Sequence, residues 1–350
     1  MAERAGERPR LAVLAVSRGG CLLGGRLAES LGGDFFACKG RLAEVMARVW
    51  RDYPEIVCIM AAGIVVRIVA PLLQDKLKDP AVVVCDEKGN FAISLLSGHI
   101  GGANALAHRV AAQTGGQAVL TTASDVLGRT ALDLWCRDLG LTPADKTAFT
   151  RAMGRLVDHG SLTLWSRAPL PELPPDLIPI AERDRADLIV DSRTAAPARA
   201  ALLHPGALVV GVGCNRGVSP AVIARAVESA CATHGLAIQS VVRLASIDLK
   251  QDEAGLLEYA RQQGLPIDFY DKDQLNRVEG VGAASEAVMR ATGAKGVAEP
   301  AALLSAGPGS VLLVAKMKWP DATAAVAEIA DPLRGRIGQA DSVRQLKHRL

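Results

Sequence analysis

The chain has 350 residues, 49% of them apolar, which is enough to fill more than one hydrophobic core and too apolar for a disordered polymer. Forty basic against 37 acidic side chains leave a formal net charge of +3, a mild bias toward anionic ligands well short of the strong basicity of nucleic-acid binders. Aromatic residues make up 3%, too few for the stacking platforms of single-strand binding proteins, so nucleic acid is excluded as a partner.

In chain order, Leu11 to Val16 reads as a first strand, an apolar run shorter than the ~7–15 residues of a signal-peptide core. Glu55 to Met60 is the next strand. The stretch Ile56 to Leu73 barely reaches the ~18–20 residues that a membrane span needs, and Gly63, Arg67 and Pro71 interrupt it, so strand, turn and helix describe it better. No membrane partner is expected. Ala81 to Cys85 and Phe91 to Leu96 are joined by the short turn Glu87 to Asn90, which makes an antiparallel hairpin and a mixed sheet. Ala118 to Thr122 closes this set, giving an N-terminal α/β domain over 1–132. Residues 133–205 read as a small middle module or connecting structure, with five prolines between Ala168 and Ile180 marking a linker region.

From Ala207 the alternation of strands and helices resumes over 206–330. The strand ALVVGV leads into a helix with Ser219 as N-cap and Pro220 in its first turn, stopped by Gly235. Ile238 to Leu244 is a strand, Glu253 to Gln263 a helix with Asp252 as N-cap and Gly264 as stop, Ile267 to Tyr270 a strand, and Val311 to Met317 a late buried strand. Glu299-Pro300 opens a short helix that ends at Gly307. The tail, 331–350, is basic and reads as a solvated end. The whole is α/β: two three-layer α/β/α domains with mixed sheets, joined by the middle segment. Seven cysteines without a CxxC pair read as the reduced thiols of a cytoplasmic protein.

Chemistry in such sheets gathers where strands give way to helices. Three N-terminal motifs follow strands: Met60 to Gly63, Ser97 to Asn104, and Thr121 to Asp125. In the second, His99 stands in a glycine-rich turn and suits a general base near neutrality, or it hydrogen-bonds loop carbonyls. The N–H groups of Gly101 and Gly102 suit an oxyanion, and Asn104 is a helix cap or a donor to a carbonyl oxygen. In the C-terminal domain Gly211-Val212-Gly213-Cys214-Asn215-Arg216-Gly217 is an anion loop: its glycines turn N–H groups toward a ligand, the following helix adds partial positive charge, and Arg216 offers a bidentate fork. Glycine is seventh rather than sixth, which departs from the dinucleotide fingerprint and argues against a nucleotide. Cys214 lines this loop, as a small polarizable residue or a thioester nucleophile. Glu299 is a structural carboxylate or a catalytic one. No pair of histidines has metal-ligand spacing.

The ordered motifs GVGCNRG, SIDLKQDEAGLLEYA (246–260) and GVAEPAALL (296–304), preceded by IMAAGIVVRIVAPLL (59–73), DPAVVVCDEKGNFAISLLSGHIGGANALA (79–107) and TTASD (121–125), resemble the CbiG family, the cobalt-precorrin-5A hydrolases of anaerobic cobalamin biosynthesis. The resemblance implies that water opens the δ-lactone of the ring A acetate and that the C20 fragment leaves as acetaldehyde, giving cobalt-precorrin-5B. Cobalt then arrives inside the tetrapyrrole, and the protein needs no cofactor. A carboxylate-rimmed macrocycle calls for a wide cleft with basic and N–H donors. Gly63, Arg67, Gly101, Gly102, Gly211, Gly213, Asn215, Arg216 and Gly217 are the expected binding residues, and His99, Asn104 and Glu299 the expected catalytic ones. Hand-over contacts with pathway methyltransferases would follow. A non-catalytic tetrapyrrole carrier is the alternative.

Overall fold

The computed structural model describes residues 11–75, 78–282 and 286–334, so most of the basic tail lies outside the described residues. The chain divides into two compact units, one ending at Leu134 and one starting at Trp135.

The first unit runs β1 (Leu11–Ala15), α1 (Arg18–Leu31), β2 (Asp34–Ala37), α2 (Leu42–Asp52), β3 (Glu55–Ile59), α3 (Ala62–Val69), β4 (Ala81–Cys85), β5 (Phe91–Leu96), α4 (Ala103–Thr114), β6 (Gln117–Val119) and α5 (Ala123–Val126), and α6 (Leu132–Leu139) begins at its end. The sheet order is β2-β1-β3-β4-β5-β6. Every residue of β1 and β4 is buried, as uninterrupted apolar runs require when helices cover both faces. Leu23 and Leu27 of α1 pack with Leu106 and Val110 of α4 over Val13, Val57 and Val83. On the opposite face Val45, Met46 and Val49 of α2 and Val65 and Val69 of α3 cover Leu14, Cys58 and Val84. Each such side chain stabilises the layer by about 1.5–3 kcal/mol relative to exposure. The expected hairpin is present: β5 is antiparallel to β4, while β3 is parallel to β4 and β6 is parallel to β5. The carboxyl ends of β5 and β6 therefore lie at one edge of the sheet, and that of β3 at the other.

The second unit holds two sheets. Residues 141–205 form β7 (Leu141–Pro143), α7 (Lys146–His159), β8 (Leu162–Ser166), β9 (Leu177–Pro179), β10 (Leu188–Val190) and β11 (Ala201–Pro205), ordered β7-β11-β10-β8-β9. The middle segment thus carries a sheet of its own. The proline-rich stretch supplies its edge strand β9, a position where proline interrupts no central ladder. The last sheet is built from β12 (Leu208–Cys214), α8 (Pro220–Thr233), β13 (Val241–Ile247), α9 (Ala254–Gln263), β14 (Ile267–Tyr270), α10 (Lys272–Asn276), α11 (Glu286–Thr292), α12 (Ala298–Ala306), β15 (Val311–Lys318) and β16 (Ala322–Glu328), ordered β14-β13-β12-β16-β15. Ile223 and Val227 of α8 and Leu256 and Tyr259 of α9 pack on one face, Ala301 and Ala302 of α12 on the other.

Three local expectations are corrected. β15 is an edge strand in which only Val314 is buried; the buried late strand is β16, whose alanines pack between α8 and α12. Residues 238–240 form a tight turn, and the strand starts at Val241. Glu253, rather than Asp252, is the residue preceding α9. None of the seven cysteines is in a disulfide; Cys21 and Cys214 are half-buried and the rest buried. Among the described residues no helix is long and apolar enough to cross a membrane.

Candidate functional site

β5 ends at Leu96, and the chain must turn sharply to enter α4. Ser97 takes a left-handed backbone (φ 58°), uncommon for a residue with a side chain, and its hydroxyl donates to the Asp79 carbonyl at 3.0 Å. A Cβ on Gly101 would lie 2.4 Å from that of Ser97, so only glycine closes the turn. The loop is pinned by Ala103 N–H donating to the Ser97 carbonyl and Asn104 N–H to that of Gly98. His99 is held out between these anchors. Because β6 runs parallel to β5, its exit places Thr121 to Asp125 at the same edge.

Three acidic and polar partners converge on the imidazole. His99 Nε2 lies 2.8 Å from Asp125 Oδ2, and Nδ1 lies 3.2 Å from Oδ1 of Asp133 in the first turn of α6. The Ser124 hydroxyl is 3.3 Å from Nε2. Asp125 Oδ2 also accepts from Asn104 Nδ2 at 2.7 Å, and the Asn104 oxygen accepts from the Ser94 hydroxyl at 2.6 Å. The Asn104 amide is therefore committed to Asp125, neither capping α4 nor free for a carbonyl oxygen. It is a positioning residue.

The electrostatics follow from this line of charges. The hydrogen bond to Asp133 is the largest influence on His99 and raises its pKa; burial opposes it and Asp125 adds to it, leaving the net shift upward. Burial works to raise the Asp133 pKa, but the hydrogen bond and charge of His99 outweigh it and the net shift is downward. His99 is thus favoured as an imidazolium between two carboxylates. Both ring nitrogens face carboxylate oxygens, so neither is open to take a proton from a water molecule, and the geometry speaks against the expected role of His99 as base. Asp125, whose side chain is 26% exposed, accepts no hydrogen bond at Oδ1 from the described residues and is the open end of the line. Asp125 closes a motif visible in the sequence, but Asp133 carried no sequence signal: both were missed because their pairing with His99 depends on the β5–β6 register and on where α6 starts.

Residues 44–125 match the family described as Cobalamin synthesis G N-terminal, and residues 208–327 match Cobalamin synthesis G C-terminus. The chain belongs to the cobalamin synthesis G family. It is 35% identical over 312 residues to a cobalt-precorrin-5A hydrolase of Priestia megaterium, covering 83% of each chain. It is 33% identical over 324 residues to a cobalt-precorrin-5A hydrolase of Salmonella typhimurium, covering 85% of this chain and 92% of that one. A probable cobalt-precorrin-5A hydrolase of Methanocaldococcus jannaschii is 30% identical over 262 residues, 74% of this chain and 78% of that one.

In this cobalamin synthesis G chain the other expected site residues fall in both units. Gly63 and Arg67 follow β3 and lie at the sheet edge opposite His99, and Arg67 Nη1 donates to the Gly63 carbonyl at 3.1 Å. Gly102 N–H is taken by the His99 carbonyl at 3.0 Å, whereas Gly101 N–H bonds to none of the described residues and stays available. Among the described residues no group of three or more His, Cys, Asp or Glu side chains is arranged to hold a metal ion.

The anion loop is filled from within. Gly217 (φ 75°) donates its N–H to the buried Glu253 carboxylate at 2.8 Å, and Glu253 also pairs with Lys250 at 3.3 Å. Arg216 Nη1 reaches both Asp252 oxygens at 2.8 Å and Nη2 donates to the Leu249 carbonyl, so its fork is occupied. Asn215 binds the Asp321 carboxylate at 3.1 Å. Gly211 and Gly213 serve packing: a Cβ on Gly211 would lie 1.8 Å from the Ala298 carbonyl oxygen of α12, and one on Gly213 would lie 2.7 Å from Thr323 Oγ1. Gly213 has no positive φ, so close packing rather than backbone conformation calls for glycine there. Glu299 is buried and accepts from Gly282 N–H at 2.6 Å and Lys316 N–H at 2.8 Å, a backbone-tying role rather than a catalytic one. Burial pushes the Cys214 thiol up, with Lys250 opposing, so no thiolate is stabilised there.

Proposed function

We propose that this chain is a cobalt-precorrin-5A hydrolase, the activity in the names of its relatives. Water opens the ring A acetate δ-lactone, the C20 fragment leaves as acetaldehyde, and cobalt-precorrin-5B remains. The observation that carries the reading is the Asp133–His99–Asp125 line, with an open carboxylate oxygen at its outer end.

Asp125 Oδ1 takes a proton from water as the water oxygen attacks the lactone carbonyl. His99 and Asn104 hold the other oxygen, and in this reading Gly101 N–H donates to the developing oxyanion. Collapse of the tetrahedral intermediate breaks the acyl–oxygen bond and leaves a carboxylate and a hydroxyl. That hydroxyl then loses its proton as the carbonyl of acetaldehyde forms, and the electrons of the breaking carbon–carbon bond pass into the macrocycle. Both steps call for a base at one place, beside a proton-bearing neighbour that can resupply a leaving oxygen. Cobalt enters as part of the substrate, and no cofactor of the protein's own is invoked. A cytoplasmic site of action, with hand-over to and from methyltransferases of the same pathway, belongs to the same reading. Incubation with enzymatically made cobalt-precorrin-5A and trapping of acetaldehyde tests it; binding without acetaldehyde would leave only a carrier.

A further inference from the structure

At the carboxyl ends of β12 and β13 the second unit has a cleft of about 260 Å³. The order of the sheet reverses there: from β12 the chain runs outward through β13 to β14, then returns on the other side of β12 as β15 and β16. Open α/β sheets take ligands at such points, because the connections diverge and leave a crevice. The turn between β15 and β16 forms one wall. Asn215, just past β12, fixes it by donating its N–H to the Asp321 carbonyl at 3.0 Å and its amide to the Asp321 carboxylate.

The lining combines apolar area with unbalanced positive charge. Ile247, Val297 and Trp319 supply the first; Lys250, Lys316 and Lys318 supply the second, against Asp321 as the only lining carboxylate among the described residues. Lys250 is neutralised by Glu253. Lys316 and Lys318 have no carboxylate partner within 4.0 Å among the described residues. Lys316 is half-buried and lines the cleft, and a lysine so placed can cover apolar surface with its stem while its ammonium pairs with a ligand.

We propose that this cleft binds a carboxylate-bearing edge of a large apolar ring, with Lys316 and Lys318 pairing to carboxylates and Trp319, Ile247 and Val297 covering hydrocarbon between them. The volume falls below the ~300–1,000 Å³ that encloses a whole drug-sized ligand, so the cleft takes an edge and leaves the rest of the ring outside. The identity of the ring as a tetrapyrrole rests on the hydrolase reading; the charge requirement does not.

The test is titration of the full chain with cobyrinic acid, a stable cobalt corrinoid with free carboxylates, and with its neutral methyl ester. The K316Q/K318Q double variant, shown to be folded by circular dichroism, should bind the acid at least about tenfold more weakly and with a flatter salt dependence. Its affinity for the ester should be unchanged, and K316R/K318R should retain most of the affinity for the acid. Wild-type affinity and salt dependence in the glutamine variant, or no binding of the acid by the wild-type protein, overturns the proposal. The hydrolase reading is judged separately: a wild-type protein that releases acetaldehyde while the glutamine variant binds normally keeps that reading and loses this one. Lysine-dependent binding without acetaldehyde release does the reverse.

Discussion

Replacing Asp133 by Asn removes one charge from the His99 line while keeping a side chain of the same shape that can still accept from Nδ1. The bond is 3.2 Å long between side chains 14% and 15% exposed, so solvent screens it little but its length is not that of the strongest ion pairs. A charged hydrogen bond contributes roughly 1.5–3 kcal/mol and a neutral one about 0.5–1.5, so the substitution should cost about 1 kcal/mol where both partners are charged. The pH window follows from the two shifts. The raised pKa of His99 gives stability that is complete below its ordinary 6.5 and lost as pH rises through the folded value. The lowered pKa of Asp133 gives stability that is complete above its ordinary 3.8 and lost as pH falls through the folded value. The contribution is therefore full between these two values and shrinks on either side. Thermal melts of wild type and D133N at pH 5.5 should differ by on the order of 2–5 °C, and the gap should narrow by pH 9. An equal gap at both pH values, or none at either, would refute the assignment of a charged Asp133–His99 bond.

Glu253→Ala should destabilise by about 3 kcal/mol in chemical denaturation, because it strips a half-buried lysine of its partner and Gly217 N–H of its acceptor, whereas Arg216→Ala breaks only exposed contacts, the pair with Asp252 and the bond to the Leu249 carbonyl, and should leave the midpoint nearly unmoved. Gly211→Ala drives a methyl group into the Ala298 carbonyl and should cost about 3 kcal/mol or leave the protein insoluble on expression; a wild-type melting curve would mean that α12 packs elsewhere. Cys214→Ser should retain most acetaldehyde release, since its thiol is pushed up by burial; loss of turnover in a folded variant would point to a thioester.

The strands with unbroken β-branched runs were legible because burial on both faces leaves no other pattern, as in Ala81–Cys85. β16 was not: ATAAVAE has the composition of a helix, and only packing between helices on both sides makes it a strand. The glycine loops were legible as tight turns, but not their occupants. Glu253 fills the Gly217 loop, and Glu87 sits against the Gly20 N–H in the first turn of α1, so two helix starts that resemble anion sites already hold the chain's own carboxylates. Which anion fills such a site depends on residues distant in the chain, and spacing does not reveal it. The separation of Arg67 from His99 was implicit in the β4–β5 hairpin, since one antiparallel step sends the following strand ends to the opposite edge. His99 itself was legible; the carboxylates that set its charge were visible only once the strands were paired.

The most direct test of the account compares acetaldehyde release from cobalt-precorrin-5A by the wild-type chain and by folded Asp125→Asn. The wild type should release one acetaldehyde per lactone opened, and the variant should turn over more slowly by roughly 10²–10⁴ with substrate binding retained, the range for loss of a positioned general base. An undiminished rate in Asp125→Asn would contradict it and move the base away from the His99 line.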